Sequence, residues 1–207
     1  MTNIASLYPR GPACGPKRFA VQEKQVKAIL IGPPGSGKGT QAYMLAAKFA
    51  IPRIAPQQLI RESVSVGSRL GMAANHYLEA GDPVPSNVMN ALMADRISQI
   101  DCLRHGFILD GYPRSLEQAV RLTRSLAARD TTIDAVLNLQ VPDDELLARA
   151  KDSARADDTD ETIQSRLHMY RMRAAPLLYY YAHNLVPVDG AGSIDEVFTR
   201  VLQALSR

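Results

Sequence analysis

The chain has 207 residues, 46% apolar, 22% charged and 6% aromatic, with a formal net charge of +3. That supports one medium α/β domain with small insertions and excludes both a disordered chain and two full domains. The excess charge gathers in residues 1–24, where Arg10, Lys17, Arg18 and Lys24 meet only Glu23. The near-neutral remainder argues against a nucleic-acid-binding face.

The leader, residues 1–24, is rich in Pro and Gly and lacks the hydrophobic core of a signal peptide. It reads as a flexible segment. Its basic, acid-poor character leaves import into an organelle open beside the default, a reducing cytoplasm. Cys14 and Cys102 form no CxxC pair, so neither a zinc site nor a disulfide framework is expected. No apolar run approaches the roughly 18–20 residues of a membrane span.

Val26 to Ile31 is a short apolar run that reads as a buried strand, and the segment to about Ala50 reads as helix. Between them lies Gly32-Pro33-Pro34-Gly35-Ser36-Gly37-Lys38-Gly39-Thr40-Gln41. Its glycines let backbone N–H groups turn inward, the next helix adds its positive end, and Lys38 brings a mobile charge. This is a phosphate cradle. Gly39 stands where Ser or Thr usually follows the lysine, with Thr40 one step later. A Mg²⁺ ion is therefore expected to be held through waters and phosphate oxygens, with no direct protein ligand.

Pro52 and Pro56 bracket a short connector near Ile54. From Gln57 to about Ser98 the pattern is helical, broken by Gly67, Gly71 and the turn Gly81-Asp82-Pro83-Val84-Pro85. That is a helical insertion outside the sheet. Further strands are expected at Gly106 to Leu109, Ala135 to Leu139 and Asn184 to Val188, each followed by helical periodicity. A polar stretch, Lys151 to Asp160, interrupts two helices. The expected fold is α/β, a doubly wound parallel sheet of about five strands.

The phosphate cradle, together with Asp110-Gly111-Tyr112-Pro113-Arg114 and Gln118 beyond it, resembles the short-lid nucleoside monophosphate kinases of the adenylate kinase family. The resemblance runs from about Lys27 to the C-terminus. It implies a kinase domain over 25–207, with an acceptor-binding insertion at about 54–84 and a short lid at about 150–160. ATP and Mg²⁺ would meet a nucleoside monophosphate there. Gly35, Ser36, Gly37, Lys38, Gly39 and Thr40 would cradle ATP, with Arg149 and Gly192 at its base. Asp110 would hold waters of the Mg²⁺ shell. Arg61, Val84, Gly111, Arg114 and Gln118 would hold the acceptor. Arg155 and Arg166 would neutralise the transferring group and touch the acceptor as well. Arg171 and Arg173 match no motif and read as solvated helix charges.

Departures from the family pattern matter as much as matches. Where the family has I-S-T-G-D-x-L-R, this chain has Ile54-Ala55-Pro56-Gln57-Gln58-Leu59-Ile60-Arg61, losing a hydroxyl at Pro56 and a carboxylate at Gln58. Ser153 falls where a further lid arginine is usual, and Lys151 is near enough to substitute. The expected reaction is ATP plus AMP giving two ADP by a monomer, with no nucleic acid or membrane partner. Another or modified monophosphate is the alternative acceptor, and a low-turnover nucleotide-binding regulator is the alternative of a different class.

Overall fold

The computed structural model describes residues 25–152 and 159–206. Five parallel strands form one sheet in the order β2-β3-β1-β4-β5: β1 Val26–Ile31, β2 Arg53–Ile54, β3 Gly106–Asp110, β4 Ala135–Gln140 and β5 Leu185–Asp189. Strand β1 pairs with β3 on one side and β4 on the other. The chain thus winds both ways from β1, and such a reversal opens a crevice at the carboxyl ends of the strands. The two-residue β2 is too short to carry a periodic signal, which is why the sequence yields only a connector there.

The alternation expected of buried strands divides the core. Ala28 and Leu30 of β1 face a cluster with Leu45 of α1 (Lys38–Phe49) and Val201 of α9 (Ile194–Leu205). Ile29 and Ile31 face the opposite cluster, which includes Leu92 of α4 (Ser86–Ile97), Leu122 of α6 (Leu116–Ala127) and Leu177 of α8 (Asp160–Tyr180). Each fully buried aliphatic side chain contributes about 1.5–3 kcal/mol, so this two-sided burial fixes the sheet between its helix layers. The insertion is helical as expected: α2 (Pro56–Ser65), α3 (Arg69–Glu79) and α4, followed by α5 (Ile100–His105). Leu59, Ile60 and Ala74 tie it to the second cluster. Helix α7 (Asp143–Asp152) meets α8 through Leu146, Ile163 and Leu167.

Candidate active site

The phosphate loop joins β1 to α1 at the carboxyl edge of the sheet. Gly37, just before α1, has φ 84°, a left-handed conformation that costs a side-chain-bearing residue energy. Lys38 opens the helix and curls back so that its Nζ donates to the Pro33 carbonyl at 2.8 Å. Burial pulls its ammonium pKa down to about 8; Asp110 opposes that shift and Arg114 adds to it. The buried Ser36 hydroxyl has no hydrogen-bond partner among the described residues. An orphaned donor in this loop fits an anionic guest.

Strand register brings Asp110 to the same edge, paired across the sheet with Leu30. The next residue, Gly111, has φ 77°, and a Cβ there would stand 3.2 Å from Arg114 Nη2. Arg114 spends its Nε on the Gly111 carbonyl at 2.7 Å. That anchor leaves the outer guanidinium nitrogens for a phosphate.

Lys38, Gly111, Arg114 and Arg166 line one cavity of about 500 Å³ between the phosphate loop and α8. Tyr170 and Arg173 line it too. Arg173 is exposed, as expected of a solvated helix charge, and it also faces this cavity. Positions 166, 170, 173, 174 and 177 share one helical face, and the packing of α8 turns that face to the cavity. Arg171 points elsewhere and pairs with Asp143.

A second hollow of about 310 Å³ lies on the other side of the loop, lined by Gly35, Ser36, Gly37 and Thr40 together with Arg149 and Gly192. Arg149 Nη2 donates to Glu145 at 2.5 Å and to the Gly190 carbonyl at 2.9 Å. Gly192 and the helix cap are compatible, because Ser193 caps α9 in a box with Glu196 while Gly192 keeps its place in the hollow. Gln41, the last residue of the motif, is buried and ties α1 to the Ile194 carbonyl through its Nε2 at 3.0 Å.

Other candidates lie outside the main cavity. Arg61 is exposed on α2, and Val84 packs against the core. Gln118 turns its amide oxygen onto the Arg114 N–H at 2.7 Å. Gln58 pairs with Glu62 at 2.7 Å. Lys151 Nζ meets Asp160 at 2.9 Å, a mostly exposed pair joining the ends of α7 and α8. Ser153 and Arg155 lie outside the described residues, as does the leader 1–24.

Arg53 escaped the sequence reading. Its Nε and Nη2 both donate to Asp110 Oδ2, at 3.1 and 2.5 Å. Gly39 adjoins the pair, since a Cβ there would be 3.6 Å from both groups. Among the described residues, no cluster of three or more His, Cys, Asp or Glu could hold a metal directly. One carboxylate oxygen of Asp110 lies outside the ion pair and, with phosphate oxygens and water, would suit a magnesium ion.

The sequence model of the adenylate kinase family matches residues 30–186. Adenylate kinases of Mycobacterium sp. (strain MCS) and Mycobacterium ulcerans (strain Agy99) are each 52% identical to this chain over 182 residues. That of Mycobacterium tuberculosis (strain ATCC 25177 / H37Ra) is 50% identical over 182 residues. Each alignment covers 88% of this chain and the whole of the relative.

Proposed function

The chain belongs to the adenylate kinase family, and from that premise we propose how its residues move the γ-phosphoryl group of ATP onto AMP. It is a phosphotransferase: ATP and AMP enter, and two ADP leave. The observation that carries the assignment of roles is the convergence of Lys38, Gly111, Arg114 and Arg166 on one cavity beside the phosphate loop.

Phosphoryl transfer spreads negative charge over equatorial oxygens, so it needs placed cations more than a base. Lys38 swings from the Pro33 carbonyl to the outer phosphates of ATP. Arg114, braced on Gly111, grips the acceptor phosphate with its outer nitrogens. Arg166 faces the transferring group, and Arg173 adds charge about two helical turns along, roughly 10 Å away. The second hollow, with Arg149 and Gly192, takes the donor base. Mg²⁺, when bound, supplies charge neutralisation at the phosphates, and Asp110 would orient its waters.

Arg61, Val84 and Gln118 join the acceptor when the insertion at about 54–84 closes, and Arg155 joins with the lid at about 150–160. Closure excludes water from the reacting group. A working monomer is part of this reading. No described helix is long and apolar enough to cross a membrane, and the reading places the reaction in the cytoplasm. ADP formation assayed against AMP, GMP, CMP and UMP tests the assignment, with AMP expected to be the best acceptor. Preference for a pyrimidine monophosphate would transfer it to the alternative kinase. Turnover with none would favour the nucleotide-binding regulator.

The low Lys38 pKa gives a pH signature. With its pKa pulled down to about 8 by burial, the ammonium is expected below that pH and should be lost above it. Asp110, Arg114, Arg166 and Arg173 are the charges around it. Bound phosphates favour the ammonium, so the alkaline limb of kcat/KM for ATP should centre near 8. That of kcat should lie about one unit or more higher. Coincident limbs near the ordinary lysine range would contradict the role of burial.

Ser153 gives a second test within this reading. With a lid arginine missing by register, Ser153→Arg should raise kcat about tenfold with little change in nucleotide affinity. Lys151, held by Asp160, is expected to matter little, and Lys151→Ala should leave kcat within about threefold. A neutral Ser153→Arg beside a crippled Lys151→Ala would reverse the assignment. Single-turnover and saturating steady-state rates on both variants decide it.

A further inference from the structure

Resting on the kinase reading, we propose that Arg53 is a built-in counter-cation of Asp110 that competes with metal-bound water for this carboxylate. It thereby sets how tightly the nucleotide complex holds Mg²⁺. The first support is geometric. Strand β2 lies next to β3, with Arg53 opposite Ile108 and Ile54 opposite Leu109. This lets the guanidinium reach forward along the sheet edge and place two donors on the same oxygen of Asp110. Both members of the pair are largely withdrawn from water, with side-chain exposures of 28% for Arg53 and 10% for Asp110. Screening is weak in such a setting, so the cation lowers the attraction of the carboxylate for a second, hydrated cation.

The second support is the absence of help for the metal. Gln58 is neutral, exposed and bonded to Glu62, so it brings no carboxylate to the site. Asp110 therefore stands without a second acidic partner in any described metal-holding cluster. Gly39 contributes by what it lacks. With no side chain at that position, the ion pair abuts the start of α1 immediately beside Lys38. Arg53 is thus a positioning residue, acting on the metal through Asp110 and on the phosphate loop through its charge. Nothing in a hydrophobic or helical pattern marks it, because its partner lies 57 residues away in sequence.

Metal affinity tests this directly. Full-length parent, Arg53→Gln, Asp110→Asn and the double variant are saturated with a non-hydrolysable ATP analogue and titrated with Mn²⁺. Free ion is read by electron paramagnetic resonance. Arg53→Gln should bind Mn²⁺ about tenfold more tightly than the parent, the usual scale for one charge-assisted contact. In the Asp110→Asn background the same change should yield about threefold or less, because the contested carboxylate is gone.

An unchanged or weaker Mn²⁺ affinity in Arg53→Gln would overturn the proposal. So would a gain undiminished by Asp110→Asn, which would mean that bulk charge and not competition is responsible. If Arg53→Gln fails to fold, Arg53→Lys serves instead. It keeps the charge but loses the planar fork, and should tighten Mn²⁺ by about twofold to threefold; an unchanged constant there counts equally against it. Phosphoryl transfer by the parent from ATP to AMP is measured in parallel. Its failure would remove the kinase reading, whereas normal transfer with flat Mn²⁺ constants would remove only the role of Arg53.

Discussion

Lys38→Ala should lower kcat by about a hundredfold or more while leaving the fold intact. Among the described residues, the ammonium donates to the Pro33 carbonyl of its own loop. Losing that contact removes little stability, and a change under about 0.5 kcal/mol moves the melting temperature of a chain this long by about 2 °C or less. During transfer the situation differs. As the bond to the γ-phosphorus breaks, negative charge builds on the donor's bridging oxygen while the phosphoryl group passes to the acceptor, and a flexible cation on the loop can follow it. Turnover at saturating ATP and AMP, set beside thermal unfolding, separates these effects. A variant retaining more than about a third of parental kcat would remove Lys38 from the chemistry.

The same residue marks how far sequence alone could reach. Lys38 belongs to a local pattern in which glycines, the lysine and a following helix are adjacent in the chain, so its position was legible. Asp110, Gly111 and Arg114 were legible for the same reason, because a strand end followed by a glycine turn is also local. Four of the five strands stood out as apolar runs. Arg53 was different. Its meaning comes from β2 pairing beside β3, and a two-residue strand leaves no periodic trace.

Arg173 was obscured by another cause. Its spacing matched no motif, and only the packing of α8 into the core through Leu177 fixes which helical face meets the cavity. Gln118 illustrates the reverse case. The family resemblance offered it to an acceptor base, and its amide oxygen is engaged by the backbone N–H of Arg114. Its two amide hydrogens are the end that the proposed acceptor contact would use, opposite the end that holds the turn.

Arg114 carries the other large effect, and Arg114→Ala should reduce kcat/KM for AMP by about a hundredfold or more. The guanidinium is braced by the Gly111 carbonyl at Nε, which aims the two outer nitrogens as a fork. Hydrogen bonds to a charged group are worth about 1.5–3 kcal/mol each, so losing even one good pair exceeds the tenfold scale. KM for ATP should change little, because the fork is assigned to the acceptor. Arg114→Lys distinguishes a fork from a mere charge. One ammonium cannot keep the Gly111 carbonyl and also span two phosphate oxygens, so lysine should recover about tenfold at most of the lost rate. A further readout belongs to the neighbouring lysine. Arg114 helps to depress the Lys38 pKa, so its removal should move the alkaline limb of kcat/KM for ATP upward. Full recovery by Arg114→Lys would reduce Arg114 to a point charge. An alkaline limb unmoved in Arg114→Ala would break the electrostatic link between these two residues.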